Sequence, residues 1–599
     1  MNLFLYISDY LLFEKLADYY QQIESVSSRL KMIDILSELF HNCNQNEVAH
    51  IIYMTQGVLR PPFDGVEFGI AEKIIADSIV IATGYTKEEV DKVYKKLGDM
   101  GSAAMQIKET TKLKRMVHKK YDVNQIYEMM YKISTASGVG SKDIKVGLLA
   151  NILSNATPLE SKYLVRYPLG ELRLGAGDYT ILEALALCYS EDRNNKKFFE
   201  ESYNMCSDLG YVGEIAANKG IAGIRSFEIT PFKPLRPALA ERLPTAEEIL
   251  EKMGGKCSLE QKYDGFRCQV HKKGNDVHIY SRNLEDTTKM FPDIKRAVLE
   301  EIDATSIIFE GEALAFNEAT NEFLPFQETI QRKRKYGIEQ KSEELPLHLF
   351  AFDVMYLNAN SVIEQSYEKR REILEGLLNN SSHITPTKRI ITKDPKEFER
   401  FFESSIENGL EGVMAKDLRS PYCAGARKFS WIKMKRSYKG ILSDTLDLII
   451  VGYFLGRGNR ASFNFGGLLC AVYNNKKDIF ETVSKIGTGF SEKNMQDFST
   501  LLKTIQTNKK PIRVDSDIIP DFWTEPKYVI RVRADEITRS PTHTCGRIVI
   551  NDEIQPGYAL RFPRIIDNGV IRKDKSAQDA TTTDEIISLY KQQKSTSGQ

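Results

Sequence analysis

The feature that most constrains the fold is a change of hydrophobic period near residue 230. Upstream of it, apolar residues recur at three- and four-residue spacing in 11–24, 29–42 and 179–189, which predicts amphipathic helices. The segment 230–244 holds four prolines in fifteen residues and predicts a linker. From about 258 to 440 predicted strands, among them 347–357, alternate with helices, and after about 440 short strands are separated by turns. One core of one type cannot accommodate these three patterns, so we expect a multidomain chain.

We predict an all-α domain over residues 1–235, a mixed α/β domain over 236–438 and an all-β domain over 439–599. The last assignment depends on 529–535, where Ile530, Val532 and Ala534 alternate with charged residues. Such alternation gives one apolar and one charged face, as in the strands of a small barrel. Thr582 followed three residues later by Glu585 predicts a capped helix at the end of the chain.

Charge and cysteine usage narrow the class of protein. The chain has 82 basic and 82 acidic side chains, which excludes a simple polycation that binds nucleic acid by bulk charge but allows a local basic surface. Its eight cysteines include no two within four residues, so the spacing of a zinc ribbon is missing and a reducing, cytoplasmic compartment is expected. No run of 18 apolar residues predicts a membrane span, and the N-terminal stretch lacks the marks of a signal peptide.

Six short motifs carry the chemistry, and they follow one another in a single order. The first, EQKYDGFR over 260–267, places Lys262 at a predicted strand entry, followed by Asp-Gly and an arginine. Alone, so short a pattern also occurs by chance in turns. The others are SRN (281–283), FEGEALAF (309–316), FAFDVMYLN (350–358), EGVMAKDL (411–418) and SWIKMKRSY (430–438).

In these motifs the chain resembles the ATP-dependent DNA ligases, and most of all the archaeal replicative type, which is similar to eukaryotic DNA ligase I. The stretches SGVGSKDIK and GELRLGAGD are typical of that family's helical DNA-binding domain, and 557–582 looks like its last motif. The resemblance covers nearly the whole chain. It implies a helical DNA-binding domain, a nucleotidyltransferase core and an OB-fold barrel that seal nicks in duplex DNA during replication, repair and recombination.

The resemblance assigns roles to individual residues. Lys262 matches the nucleophile that takes AMP from ATP, and a lysine must be neutral to attack phosphorus. Glu312 and Glu411 match the acidic positions for ribose and metal, and carboxylate oxygens suit Mg²⁺ or Mn²⁺. Phe352 matches the aromatic ring that stacks on adenine. The remaining ATP-contacting positions are matched by Glu260, Arg267, Arg282, Arg427, Lys433 and Lys435.

The terminal motif adds further cations. Arg561 and Arg564 of RFPR match residues that orient pyrophosphate, together with Arg572, Asp574 and Lys575. The family resemblance also implies nicked double-stranded DNA as the partner. It makes the sliding clamp an expected partner too, although the sequence holds no clean copy of the clamp-docking peptide, and we expect a monomer.

Three other classes of protein share part of this pattern. An NAD-dependent ligase needs a four-cysteine zinc finger, which the cysteine spacing excludes. An RNA ligase or a capping guanylyltransferase shares the lysine chemistry but does not usually carry a 230-residue helical domain. A non-catalytic DNA-binding scaffold would be expected to lose Lys262, Glu411 or Lys433, and all three are present.

Overall fold

The fold is known from a computed structural model, whose chain divides into two compact units. The first unit comprises residues 1–241, 252–393 and 415–432, and the second comprises 242–251, 394–414 and 433–599. The structure describes residues 10–111, 119–317, 322–323, 329–332, 334, 337–379, 381–408, 410–435, 445–456, 465–487, 490–534, 536–550, 553–566, 571–572 and 574–595.

The N-terminal part of the first unit is helical. Its helices are α1 Phe13–Ser25, α2 Arg29–His41, α3 Val48–Gln56, α4 Glu72–Thr83, α5 Lys87–Leu97, α6 Met100–Glu109, α7 Val123–Thr135, α8 Ser141–Asn155, α9 Pro158–Arg166, α10 Asp178–Ser190, α11 Lys196–Cys206 and α12 Leu209–Arg225. All three helices predicted by apolar spacing are present as α1, α2 and α10. Their apolar faces share one core, which includes Leu16, Leu36 and Leu185, each fully buried.

Buried polar contacts fix how these helices meet. Asp99 caps α6 through the Ser102 N–H at 2.9 Å, and it also accepts Nη2 of Arg166 at 2.6 Å. Arg166 ends α9 and reaches Glu24 of α1 at 3.1 Å. This buried aspartate therefore joins a helix cap to an interhelical ion pair.

The chain between the helical part and residue 435 is built mainly on strands, and its segments 242–251, 394–414 and 433–435 belong to the second unit. The elements between residues 239 and 435 are β1 Leu239–Arg242, α13 Ala246–Lys252, β2 Cys257–Lys262, β3 Phe266–Lys273, β4 Asp276–Ser281, α14 Pro292–Glu301, β5 Ser306–Asn317, β6 Glu322–Phe323, α15 Ile338–Glu344, β7 Leu347–Leu357, β8 Asn360–Ser361, α16 Tyr367–Leu378, β9 Ile384–Pro386, β10 Arg389–Thr392, α17 Pro395–Glu407, β11 Gly412–Lys416 and β12 Arg427–Lys435. One sheet has the order β4-β3-β5-β7-β8, with β6 on β5 and β9 on β7. A second has the order β1-β12-β11-β2-β10, and the division between the units runs through β11 and β12.

The second unit is rich in strands. After residue 445 it contains β13 Leu446–Phe454, β14 Gly467–Asn474, β15 Ile479–Ile486, α18 Glu492–Lys503, β16 Gln506–Thr507, β17 Val514–Asp515, β18 Phe522–Thr524, β19 Val529–Arg533, β20 Glu536–Ser540, β21 Ile548–Ile550, β22 Glu553–Gln555, β23 Gly557–Arg561, β24 Arg564–Ile565 and α19 Thr583–Ser595. Its main sheet has the order β16-β18-β13-β14-β15-β17, with β19 on β13 and β24 on β19. Among the described residues this pairing gives a half-barrel sheet and does not close on itself.

Two local predictions for this unit are confirmed. Ile530, Val532 and Ala534 are buried while Arg533 is exposed, as the alternation requires. Thr582 and Glu585 cap the final helix, since the Thr582 side chain accepts the Glu585 N–H at 3.2 Å and the Thr582 N–H donates to the Glu585 carboxylate at 2.6 Å.

The expected fold class is confirmed at a coarser level than predicted: a helical N-terminal region, a mixed α/β middle and a β-rich C-terminal region. The three domain boundaries stay a prediction. The proline-rich segment is not a free linker. The Gln269 side chain of β3 accepts the Leu235 N–H at 2.7 Å and donates to the Leu235 carbonyl at 3.1 Å. In the part of the chain that the structure describes, no helix has both the length and the apolar character needed to cross a membrane.

Candidate active site

Lys262 is the last residue of β2, where the strand leads into the turn Tyr263–Gly265. The sequence interpretation placed it at the entry of a strand, so its position is corrected to the strand's end. The side chain is half-buried, and its Nζ lies 3.4 Å from the Tyr263 carbonyl. A Cβ on Gly265 would lie 2.3 Å from the Ala313 carbonyl oxygen, so only glycine allows the turn to pack this closely on β5.

Glu312 of β5 lies beside this turn. Its Oε1 accepts the backbone N–H of Gly265 at 3.1 Å, and it stands opposite Arg267 in the antiparallel pairing of β3 and β5. Burial raises the pKa of Glu312 to about 7, although the nearby Lys262 and Arg267 favour the charged carboxylate. The turn therefore brings together the predicted nucleophile and the predicted acidic residue.

Arg267 is held by fixed partners. Its Nη2 and Nε donate to the two carboxylate oxygens of Glu310 at 2.8 and 3.2 Å, and its Nη1 donates to the Ala238 carbonyl at 2.9 Å. Glu310 is fully buried and also accepts the Tyr422 hydroxyl at 2.7 Å. A planar fork held at both edges keeps a fixed orientation. The structure thus gives Arg267 a positioning contact to Glu310.

Phe352 of β7 forms an aromatic pair with Trp431 of β12. The ring centroids are 5.9 Å apart and the rings are nearly perpendicular, at 82°. Trp431 is buried and Phe352 is half-buried. The guanidinium carbon of Arg267 lies 5.5 Å from the Phe352 centroid and 5.6 Å from that of Trp431. This pair forms an aromatic wall with one partly accessible ring.

Glu260 lies behind that wall, in a group that we call the Glu260 cluster: Glu260, Tyr367, Arg371, Thr387 and Lys416. The Glu260 carboxylate accepts the Tyr367 hydroxyl, the Thr387 hydroxyl at 2.9 Å and Nζ of Lys416 at 3.1 Å. Nη1 of Arg371 lies 4.0 Å away. All five side chains are buried. Lys416 lies within the EGVMAKDL motif, but the motif alone did not identify this lysine as a functional candidate.

Two predicted arginines have few described contacts. Arg282 is exposed in the turn after β4. Arg427 is the first residue of β12, and its side chain lies outside the described residues. Their roles stay predictions.

Glu411, Lys433 and Lys435 belong to the second unit. Lys433 and Lys435 are half-buried while Met434 between them is buried, as expected for two lysines on one face of a strand. The ammonium of Lys435 is paired with the Glu411 carboxylate. Where these residues lie relative to Lys262 stays a prediction.

The terminal motif also lies in the second unit. Arg561 donates to Glu536 at 2.9 Å, and Arg564 is exposed opposite Arg533 in the pairing of β19 and β24. Four residues surround Asp447 of β13, in a group that we call the Asp447 cluster: Asp447, Arg531, Arg572, Asp574 and Lys575. The Asp447 carboxylate lies 2.7 Å from Lys575, 3.2 Å from Arg572 and 3.6 Å from Arg531.

Asp447 was missed by sequence reasoning. Its signal is weak, because Asp447 and Arg572 are 125 residues apart in the sequence. They meet where β13 pairs with β19 and where the backbone of Asp447 forms hydrogen bonds with Thr581. Arg572 also donates to Asp574 at 2.6 Å, and this contact lowers the pKa of Asp574 to about 2. Arg561, Arg572 and Lys575 therefore already have carboxylate partners.

Comparisons with known proteins agree with this arrangement. Residues 12–186 match the family model of the DNA ligase N terminus, 237–435 match that of the ATP-dependent DNA ligase domain, and 461–575 match that of the ATP-dependent DNA ligase C-terminal region. A probable DNA ligase of Dictyoglomus turgidum is 46% identical over 584 residues, covering 98% of each chain. A DNA ligase of Nitrosopumilus maritimus is 40% identical over 584 residues, covering 97% of this chain and 98% of its own.

Among solved structures, Pmar-Lig PreS3 is similar in fold, with a TM-score of 0.54 at 18% identity over 93% of this chain and 99% of its own. The three family matches together cover most of the chain and define its class. The chain belongs to the ATP-dependent DNA ligase family. It is a DNA ligase that takes its adenylate from ATP and seals nicks in DNA.

Proposed function

We propose that Lys262 is the nucleophile of this ligase and that the aromatic wall and the Glu260 cluster form its adenine pocket. In the first step Nζ of Lys262 attacks the α-phosphorus of ATP. A P–N bond forms, the bond to pyrophosphate breaks and the amine releases a proton to solvent. The position of Lys262 at the strand end, half-buried beside Glu312, is the observation that carries the proposal.

Two further transfers complete the reaction. An oxygen of the 5′-phosphate at the nick attacks the adenylate phosphorus, the P–N bond breaks, and the lysine nitrogen takes up a proton from solvent, which regenerates the amine and gives AMP-DNA. The 3′-hydroxyl then attacks the activated 5′-phosphate and gives its proton to solvent, the bond to AMP breaks, and the phosphodiester bond is closed. Phe352 offers a partly exposed ring for stacking on adenine, and stacking of this kind tolerates a flexible orientation.

A divalent cation fits the acidic residues. One oxygen of Glu312 accepts the Gly265 N–H, and the carboxylate has further lone pairs that could bind a metal ion. Because burial disfavours the charged form of Glu312, a neighbouring cation would stabilise the carboxylate. We propose that Glu312 of the first unit and, separately, Glu411 of the second unit would each supply a carboxylate ligand to Mg²⁺ or Mn²⁺. Such an ion would offset the charge on the phosphate oxygens during transfer.

The helical region offers contacts for the DNA backbone. Gly140, which precedes α8, has φ +81°, and the adjacent Val139 is fully exposed. The N–H groups of the first turn of such a helix suit a phosphate. We propose that this loop and the loop before α10 contact the nicked duplex. We also propose that the second unit's half-barrel sheet belongs to an OB-fold barrel and that the enzyme acts as a monomer. The sliding clamp stays an expectation of the family resemblance.

The test is transfer of labelled AMP to Lys262 variants. We expect Lys262→Ala and Lys262→Arg to lose enzyme adenylation by about 10³-fold or more, as removal of other catalytic nucleophiles does. Arginine keeps the charge but offers no neutral amine. The matched control is Lys273→Ala, an exposed lysine at the end of β3, which should behave as wild type.

A second substrate sharpens this test. Lys262→Ala should retain sealing of a nick that already carries AMP, because that step does not need the nucleophile. A stable, acid-labile AMP adduct on Lys262→Arg would refute the assignment.

A further inference from the structure

Lys416 at the end of β11 is a buried lysine that the proposed chemistry does not use. Only about 1% of its side chain is exposed. Its ammonium donates to the backbone carbonyl of Phe352 at 2.8 Å and pairs with the Glu260 carboxylate at 3.1 Å. One cation thus binds the main chain at the stacking residue and the carboxylate behind it.

The same ammonium lies close to three aromatic rings. It is 4.4 Å from the ring centroid of Trp431, 4.8 Å from that of Tyr367 and 4.9 Å from that of Phe352. A desolvated cation within about 6 Å of a ring centroid is attracted to the face of that ring. Of these rings Phe352 is the half-exposed one, so Lys416 contacts the wall from its buried side.

Burial disfavours the charged form of Lys416 and lowers its pKa, whereas Glu260 and Asp353 oppose that shift. Ordinary structural lysines elsewhere in this unit are placed differently. Lys272 is also buried, but its ammonium donates to the carbonyl of Ile302 at 2.6 Å, at the C-terminal end of α14. There the lysine caps a helix, whereas Lys416 contacts the candidate nucleotide pocket.

We propose that Lys416 is a positioning residue for ATP, which fixes the Phe352 main chain and the Phe352–Trp431 pair so that Phe352 presents its ring to adenine. The inference rests on the proposed function, since it assumes that ATP binds at this wall. It assigns Lys416 to base recognition rather than to phosphate contact or to the chemical step.

The test separates binding of ATP from catalysis. In steady-state nick sealing at saturating DNA we expect Lys416→Met, which keeps the volume and removes the charge, to raise the KM for ATP about 10-fold, a factor that corresponds to about 1.4 kcal/mol. The kcat should stay within about 3-fold of wild type, because an interaction equal in the ground and transition states alters KM alone. Lys272→Met should lose stability while its KM stays unchanged. A Lys416→Met enzyme with wild-type KM and a reduced kcat would overturn the proposal.

A double-mutant cycle tests whether the effect passes through the ring. Phe352→Leu should itself raise the KM for ATP. If Lys416 acts by positioning Phe352, adding Lys416→Met to Phe352→Leu should change KM by less than about 3-fold, because coupled residues are not additive. Two effects that multiply fully would show that Lys416 does not act through Phe352.

A second background covers the case in which Lys416→Met does not fold. Lys416→Met alone would leave the Glu260 carboxylate buried without its cation. In a Glu260→Gln background that carboxylate is absent, so the double variant Glu260→Gln with Lys416→Met is compared with Glu260→Gln alone. The same rise in KM is expected there, and an unchanged KM would overturn the proposal. If the proposed function fails, wild-type protein forms no Lys262 adduct at all, which is a different result from an adduct that forms with unaltered KM.

Discussion

The Glu260 cluster and the Asp447 cluster show two ways of surrounding a carboxylate with cations. In the first unit Glu260 and Lys416 are each at most about 2% exposed, and two hydroxyl groups complete the contacts of the carboxylate. In the second unit the side chain of Lys575 is 31% exposed and that of Asp447 is 13% exposed. The first arrangement is sealed from water, and the second is open to it.

This difference in exposure decides what each cluster can do. A sealed ion pair cannot exchange its partner for a ligand without leaving a buried charge, and that cost makes it a fixed wall. An open pair exchanges partners at little cost, because water and salt already screen it. We infer that the Glu260 cluster holds the base pocket in shape, whereas Lys575 and Arg572 can leave Asp447 for a phosphate.

The largest effect on stability should come from breaking the sealed cluster. Glu260→Ala leaves Lys416 buried beside apolar rings, and we expect a loss of about 3–5 kcal/mol in the free energy of unfolding of the first unit. The chain has two tryptophans, Trp431 beside this cluster and Trp523 in the second unit, so a Trp523→Phe background reports the first unit by fluorescence during urea unfolding.

Glu260→Gln is the matched control, because it keeps acceptors for Tyr367 and Thr387, and it should lose less than Glu260→Ala. Equal stability of Glu260→Ala and wild type would show that the cluster is not sealed in solution.

An intermediate effect is expected at Asp99, a buried carboxylate whose partner Arg166 lies in the helical region. Hydrogen bonds from Arg166 outweigh burial and lower the pKa of Asp99 to about 2 from about 3.8. A lowered pKa means that the stability it contributes is present above pH 4 and is lost as the pH falls towards 2. The contribution at neutral pH should be about 2 kcal/mol, since one pKa unit corresponds to about 1.4 kcal/mol.

The measurement compares wild type with Asp99→Asn in urea from pH 7 downwards, followed by circular dichroism of the helices. Asparagine can still accept the Ser102 N–H, but its amide nitrogen cannot accept from Arg166, so the variant keeps the cap and removes the ion pair. The stability difference between the two proteins should shrink below pH 4. A difference that stays constant to the lowest pH at which wild type is folded would contradict the lowered pKa.

The sequence predicted much of this fold because its signals were local. The 3.6-residue spacing predicted α1, α2 and α10, and the predicted strand 347–357 has the bounds that the structure gives to β7. The order of six motifs predicted the family. What could not be predicted depends on contacts between distant segments. Neither the hydrogen bond between Gln269 and Leu235 nor the ion pair between Asp447 and Lys575 corresponds to a local sequence pattern. In each case the two residues are distant in sequence and meet only in the folded chain.

The candidate site was predicted unevenly for the same reason. Lys262 and Glu312 stand in motifs and were found from them, although Lys262 ends its strand and does not begin it. Lys416 stands in a quoted motif, but its burial was not visible from composition. In the sequence a lysine that ends the run GVMAK has the pattern of a solvated strand end, and only the packing of Glu260, Phe352 and Trp431 around it makes it unusual.

The smallest effect on stability is expected at the open cluster, and there the effect on activity should be selective. Lys575→Ala should alter the free energy of unfolding by less than about 1 kcal/mol, as for other partly exposed ion pairs. Its effect on rate should depend on the substrate, because a cation that leaves Asp447 for pyrophosphate acts only while ATP is attacked. A nick that already carries AMP has no pyrophosphate, so its sealing should be nearly unchanged. Loss of one such charged contact typically slows the step it serves by about 10²-fold.

Asp447→Asn is the matched variant: it keeps the shape, removes the competing carboxylate and should not reproduce the slow adenylation of Lys575→Ala. The ratio of the rates on ATP with a plain nick and on a pre-adenylated nick is the measurement, with melting curves matched to wild type first. If Lys575→Ala slows both substrates by the same factor, its ammonium is a general structural or DNA contact, and the two clusters do not differ in the way their exposure implies.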